Sequence, residues 1–349
     1  MTVMFDPMVK IYNAYREGKA RTAFVYVEDQ TQAHFQQFQE WHYDFSPAEK
    51  AVMEIHSGLI RKIVQAVHQK ELTYAAELIR SDEGVIYSGH LSPDVQCLCK
   101  SYLEAAAAYL DYKYQRYDEA IARLREALAI DILVEERNHA LAFVLHAHRI
   151  MLLDNWVRVL AHRQQYKEAT SLAFQTLDYL EQKIQTFSCP TLADVSTSWD
   201  SSKLAVYSPD SLSILFRAVT MQVVEYATGT DVLESPEGPI DLHDLLMSNA
   251  HHHSAAEKCY LSIASHNWIH MKQALFADDS SRFLDLAAEI LAAGPGKWPA
   301  LWYATVVETL VFNRRHQDMH AIPFQQEVEK DASSWKRLPL AWKALIYTV

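Results

Sequence analysis

Only 8 of the 349 residues are glycine, against about 7 % in an average chain. That shortage constrains the fold more than any motif does. Tight turns between strands need residues that adopt positive φ, most often glycine, so a sheet-rich chain of this size would use many more. Proline is also sparse, at 11, and clusters outside the periodic segments. Long helices with few connections satisfy both observations, and the expected fold class is all-α. Half the residues are hydrophobic, so the chain can bury a substantial core and does not have the composition of a disordered one.

Helix starts are legible. "SPAE" at 46–49 and "SAAE" at 254–257 have the capping-box pattern, in which a serine accepts from an early backbone N–H and a glutamate reaches back to the serine N–H. "SPD" at 92–94 and 208–210 adds proline at the first helical position and an acid at the positive helix end. Helices are expected near 6–17, 25–41, 47–69, 71–80, 93–114, 117–131, 135–164 and 167–184. They resume near 209–228, 240–248, 255–276, 280–293, 298–314, 317–331 and 338–347. Connections such as "KYQRYDE" near 115, "HRQQYKE" near 165, "FADDSS" near 278 and "NRRHQD" near 315 are short enough to force antiparallel pairs. Antiparallel helical hairpins in series are the pattern of an α-solenoid. The Ser/Thr-rich stretch after residue 184 has no helical period. The expected organisation is an N-terminal helical region over 1–184, an irregular linker or loop over 185–208, and a C-terminal helical-hairpin region over 209–349. A second irregular stretch, "GTDVLESPEGPIDLHD", occupies 229–244.

One stretch carries a packing code. In "RYDEAIARLREALAI", Tyr117 starts a helix, Ala120 follows, then Leu124 and Ala127. The small residues let neighbouring helices approach, and the bulky one fills the space between them. The chain over residues 93–184 resembles the tetratricopeptide-repeat family at these positions. Ala108 stands at the small contact position of the preceding helix, whereas Glu104, Ala107 and Asp111 stand where the family has large residues, and Ile132 replaces its closing proline. A second copy keeps Tyr166 and Ala169 but has Ala173 and Thr176, and it lies 49 residues on, against a family period of about 34. The resemblance implies a non-catalytic scaffold of adaptor, regulator or immunity/inhibitor type that holds a peptide or partner protein on the surface lined by the first helix of each pair. On that basis the partner-binding face draws on Tyr109, Tyr112, His146 and Arg149, with Arg149 placed to grip a carboxylate. The helix "NHALAFVLHAHRIMLLDNWVRVL" is apolar nearly all round, so its His146, Arg149 and Arg158 must be paired or face a groove.

Motifs of common enzymes are absent. There is no G-x-G-x-x-G, no Walker spacing and no G-x-S-x-G elbow, and "GPGKW" at 294–298 reads as a helix stop and a turn. No cofactor is expected, and the reading leans away from an enzyme. The alternative is a helical metal-binding protein or metalloenzyme. "HNWIH" and "HQDMH" place His266 with His270, and His316 with His320, one helical turn apart. Asn267 occupies the position of a zincin's general-base glutamate, which removes that chemistry. Glu136 and His139 have di-iron spacing, but no second such pair occurs. Cys97 and Cys99, two apart on an expected helix, point away from each other.

The net charge is −12, from 44 acidic and 32 basic residues, with no basic run. This balance disfavours nucleic acid, whose affinity comes largely from cations on phosphates, and favours a protein or peptide partner with a basic surface. The opening residues lack an apolar signal core, and no stretch approaches the ~18 apolar residues of a membrane span. A cytoplasmic, membrane-free protein is the expectation.

Overall fold

The computed structural model describes residues 7–21, 45–87, 91–180, 186–188, 198–200, 224–241, 244, 260–295, 299–316, 321–335 and 338–347. The expected helices near 25–41 and most of those near 209–228 and 240–248 lie outside these residues, as do the 208–210 and 254–257 caps. The protein is all-α. Short strands are its only sheet among the described residues: Thr186–Ser188 pairs antiparallel with Ser198–Asp200, and Val232–Leu233 with Ile240–Asp241. No described helix is long and apolar enough to cross a membrane.

The chain forms two compact units, one of residues 29–218 and one of residues 1–28 with 219–349. In the first, α2 (Pro47–His68) pairs with α3 (Leu72–Ile86), α4 (Pro93–Lys113) with α5 (Tyr117–Arg137), and α6 (Ala142–His162) with α7 (Tyr166–Leu180). Each helix also packs on its neighbour in sequence, and α4 touches both α2 and α6. The long helix expected over 135–164 is broken. α5 runs on to Arg137, Asn138 leaves helical geometry at φ −138°, and the 3-10 turn His139–Leu141 leads into α6. Ile130, Asp131, Val134 and Glu135 are all buried, so the inward face of α5 continues past the expected end at 131. The break also parts Glu136, on the exposed end of α5, from His139 in the turn, so the two never share a helix face.

The three hairpins use one turn. Lys70, Gln115 and Gln164 each adopt a left-handed φ of 61–65°. Glu71 N–H donates to the Ala66 carbonyl at 2.9 Å and Lys70 N–H to that of Val67 at 3.2 Å. The same pair of bonds recurs from Arg116 and Gln115 to Asp111 and Tyr112, and from Gln165 and Gln164 to Leu160 and Ala161. This is a Schellman closure built without glycine, at a cost of about 1–2 kcal/mol per left-handed residue, so the low glycine count extends even to turns that favour it. Counting from these residues aligns the hairpins. Ala75, Ala120 and Ala169 stand at one position, each 0 % exposed. Asp82, Ala127 and Thr176 stand at another, again fully buried.

The first hairpin is tied to the second through its cap. Ser46 N–H donates to Glu49 at 3.0 Å, and the Ser46 hydroxyl accepts from Glu49 N–H, completing the capping box. The other Glu49 oxygen accepts the Ser92 N–H at 3.1 Å, at the start of α4. Hydrogen bonds from Ser92, then from Ser46, hold the Glu49 carboxyl down at about 2. A depressed carboxyl pKa contributes stability that is complete above its ordinary value of 4.5 and is lost as pH falls toward about 2. Glu49→Gln should therefore flatten the acid limb of the stability–pH curve between those values, as read by urea titrations, while lowering stability at neutral pH by about 1 kcal/mol.

In the second unit, α1 (Pro7–Arg21) packs on α9 (Ser280–Ala293), the partner of α8 (Tyr260–Phe276), across another such turn at Asp278. α10 (Pro299–His316) is buried continuously from Leu301 to Leu310, and α11 (Ile322–Ala332) and α12 (Leu340–Tyr347) complete the unit. Tyr15 stacks on Trp302 with ring centroids 5.3 Å apart and meets Phe324 edge-on. The Tyr12 and Tyr15 hydroxyls donate to Glu327 and Asp331 of α11, each at 2.7 Å. The helix near the N-terminus thus belongs with the C-terminal helices, a grouping its sequence position does not announce.

Candidate functional site

The structure brings Tyr109 and Tyr112 together and sets His146 and Arg149 apart from them. The two tyrosine rings, half-buried on the last turns of α4, stack 6.3 Å apart at an interplanar angle of 18°. The Tyr109 hydroxyl lies 3.1 Å from His68 Nδ1 at the end of α2. Tyr112 meets His162, at the end of α6, edge to face at 5.0 Å, and Tyr117 at 6.2 Å. The Lys113 ammonium sits 5.3 Å from the Tyr109 ring centre and 5.1 Å from that of Tyr112, within cation–π range.

His68, Lys113 and His162 occupy one position of the aligned hairpins, two residues before the left-handed turn residue. Each is exposed. Three consecutive first helices therefore end in a row of basic groups, with the tyrosines of the middle helix between them. A cation in the last helical turn is ordinary, because it complements the helix dipole. The surroundings here are not. Burial, then Arg158 and Lys70, push the Lys113 ammonium below its ordinary value. Burial, then Lys113, do the same to His162. Nearby carboxylates are already engaged: Asp111 with Arg116 and Arg123, Asp118 with Arg163, and Asp154 with Arg158. Among the described residues none pairs with Lys113 or His162. These helix ends therefore place a lysine and two imidazoles beside a pair of stacked tyrosines.

His146 and Arg149 are core residues of α6, 0 % and 2 % exposed. The Arg149 guanidinium bonds Glu135 of α5, so a partner's carboxylate finds it already occupied. Burial, then the Arg149 charge, keep His146 well below its ordinary pKa and hence neutral. The Tyr179 hydroxyl of α7 lies 3.4 Å from its Nδ1. Beside them Ser101, Asp131 and His148 meet, all 0 % exposed. Their composition suggests a catalytic triad, but the connectivity is wrong. Ser101 donates to Asp131 at 2.6 Å, while His148 Nδ1 lies 2.9 Å from the other oxygen of that carboxylate and 3.4 Å from Ser101 Oγ, so one ring nitrogen faces both partners. A working triad runs serine to histidine to aspartate and faces substrate. This cluster instead staples α4, α5 and α6 together.

Other candidate chemistry disperses. Among the described residues no group of three or more His, Cys, Asp or Glu is placed to hold a metal ion. The His316 ring is exposed, lies 4.1 Å from that of Phe312, and has Nδ1 2.9 Å from the Phe312 carbonyl. His270 is half-buried, while the His266 side chain and His320 lie outside the described residues. Cys189, Cys259 and His251 to His253 also lie outside them. Burial pushes the Cys99 thiol up to about 12, which keeps it protonated and a poor nucleophile. Comparison with protein-family models, curated proteins and solved structures finds no match to this chain.

Proposed function

We propose that residues 47–180 form a divergent, tetratricopeptide-like array of helical hairpins that binds a protein or peptide partner without catalysing a reaction. The row of His68, Lys113 and His162 around Tyr109 and Tyr112 carries this reading. One surface assembled from the same position of three successive hairpins is the way repeat scaffolds present an extended binding face. The shared turn and the buried small residues at Ala75, Ala120 and Ala169 support the array. Stacked tyrosines beside an ammonium offer the amphipathic, low-entropy contact area common at interfaces.

The test is selection of a displayed random-peptide library on the full chain. Enriched peptides should lose affinity by at least about tenfold on Tyr109→Ala with Tyr112→Ala, the loss typical of one hot spot. Exchange of exposed Lys167 for Ala should leave them unchanged. No enrichment, or enriched peptides that bind the tyrosine variant equally, would remove the reading.

A further inference from the structure

We propose that Met53, His56 and Cys99 form a binding site for a soft monovalent metal ion, copper(I), in the core of the first two hairpins. The three residues lie where α2, α3 and α4 pack together, and they are 8 %, 3 % and 0 % exposed. The Cys99 thiol of α4 donates to the Met53 thioether of α2 at 3.2 Å. His56 follows Met53 by three residues, one turn along the same face of α2. Its Nδ1 lies 2.8 Å from the Asp82 carboxylate of α3, whereas its Nε2 is buried and has no hydrogen-bond partner. Asp82 in turn stands close enough to Cys99 to disfavour the thiolate. Thiol, thioether, imidazole and carboxylate thus form one cluster across three helices.

An orphaned ring nitrogen in a core is costly and calls for a bound water or ion. Asp82 holds this histidine as carboxylates hold metal-ligating histidines. Bonding at Nδ1 fixes the tautomer and leaves the Nε2 lone pair free for a metal. The other two donors are sulfur, and the pairing of thiolate with thioether suits copper(I). Structural zinc instead takes four ligands from cysteine, histidine and carboxylate. Only His56 and Cys99 here belong to that set, and a thioether supplies the third donor. Binding breaks the Cys99 S–H bond and forms an Sγ–copper bond, the proton leaves to solvent, and no electron is transferred. The flexible, unbranched Met53 side chain can shift to admit the ion between the sulfurs.

The experiment titrates copper(I), kept reduced without oxygen, into the full chain against bicinchoninate as competing chelator. The tightest site should release a proton as it fills and show two sulfurs and one nitrogen around copper in X-ray absorption. Met53→Leu, which nearly conserves core volume, should weaken that site at least about tenfold, and Cys99→Ser should weaken it at least about a hundredfold. His56→Gln should remove the nitrogen from the copper shell and leave both sulfurs. Bound copper(I) should raise the urea midpoint of the wild type and not that of Met53→Leu. Circular dichroism of the metal-free forms checks folding, and if Cys99→Ser fails to fold, Met53→Leu and the X-ray absorption decide. Failure to hold copper(I) against the chelator would overturn the site. So would binding that Met53→Leu leaves unchanged, a shell without sulfur, or zinc(II) held as tightly at the same residues.

Discussion

Glu308→Ala should destabilise the unit that contains α10 by about 3–5 kcal/mol, the cost of leaving a buried charge without its partner. Lys272 on α8 and Glu308 on α10 are 0 % and 1 % exposed, and the ammonium lies 2.6 Å from the carboxylate. The same Glu308 oxygen accepts the Gly229 N–H at 2.8 Å, and Lys272 also donates to the Thr230 carbonyl at 3.2 Å. The pair thus fastens the left-handed turn at Gly229 to two helices. Burial holds the Glu308 carboxyl above its ordinary value, with Lys272 and the Gly229 N–H only partly offsetting it. Such a pair contributes little net stability, while its rupture is expensive. The double variant Glu308→Leu with Lys272→Met, which removes both charges at similar volume, should recover most of the loss in urea titrations. A double variant no more stable than Glu308→Ala would show that the damage lies in packing.

The second large effect comes from a single methyl group. A Cβ at Gly18 would lie 1.8 Å from the Leu291 carbonyl oxygen and 3.1 Å from Gly294 Cα, backbone atoms that cannot swing aside. Gly294 has φ +79°, and a Cβ there would meet the Gly18 carbonyl at 2.7 Å. Two of the scarce glycines are thus committed to one crossing of α1 over the end of α9. The Leu291 carbonyl also receives the Trp302 indole N–H at 3.0 Å, so it is held from the other side. Gly18→Ala should cost about 3 kcal/mol and strip amide-exchange protection from α1. The same substitution at Gly58 or Gly84 meets nothing within 4 Å. Both sit inside helices, where alanine should instead stabilise by about 1 kcal/mol. Opposite signs for one substitution, read by amide exchange, are the signature of this crossing.

Local features of the fold were open to reading from residues alone. The capping box at Ser46, the turns near 115, 165 and 278, and the small positions Ala120 and Ala127 all express themselves within a few residues. Features that depend on distant partners were not. Asp131 and Glu135 look like surface acids ending a helix, yet they are buried because His148 and Arg149 reach them from α6. That is why the helix break falls at Asn138 and not several residues earlier. α1 shows that it has an apolar face but not which helix covers it. The same limit shaped the site. Tyr109 and Tyr112 stood out as aromatics on a first helix. His146 and Arg149 stood out as polar groups on an apolar helix, and such groups are more often satisfied internally than offered to a partner. Lys113, His68 and His162 resemble routine helix-end cations until the left-handed residues Lys70, Gln115 and Gln164 set the hairpins in register.

The central claim is that one ligand engages three hairpins at a shared position. Amide hydrogen exchange on the complex with a selected peptide tests it most directly. Protection should rise together in the last turns of α2, α4 and α6, around His68, Lys113 and His162. Protection confined to one of these turns, or appearing only on the helices of the other unit, would contradict it.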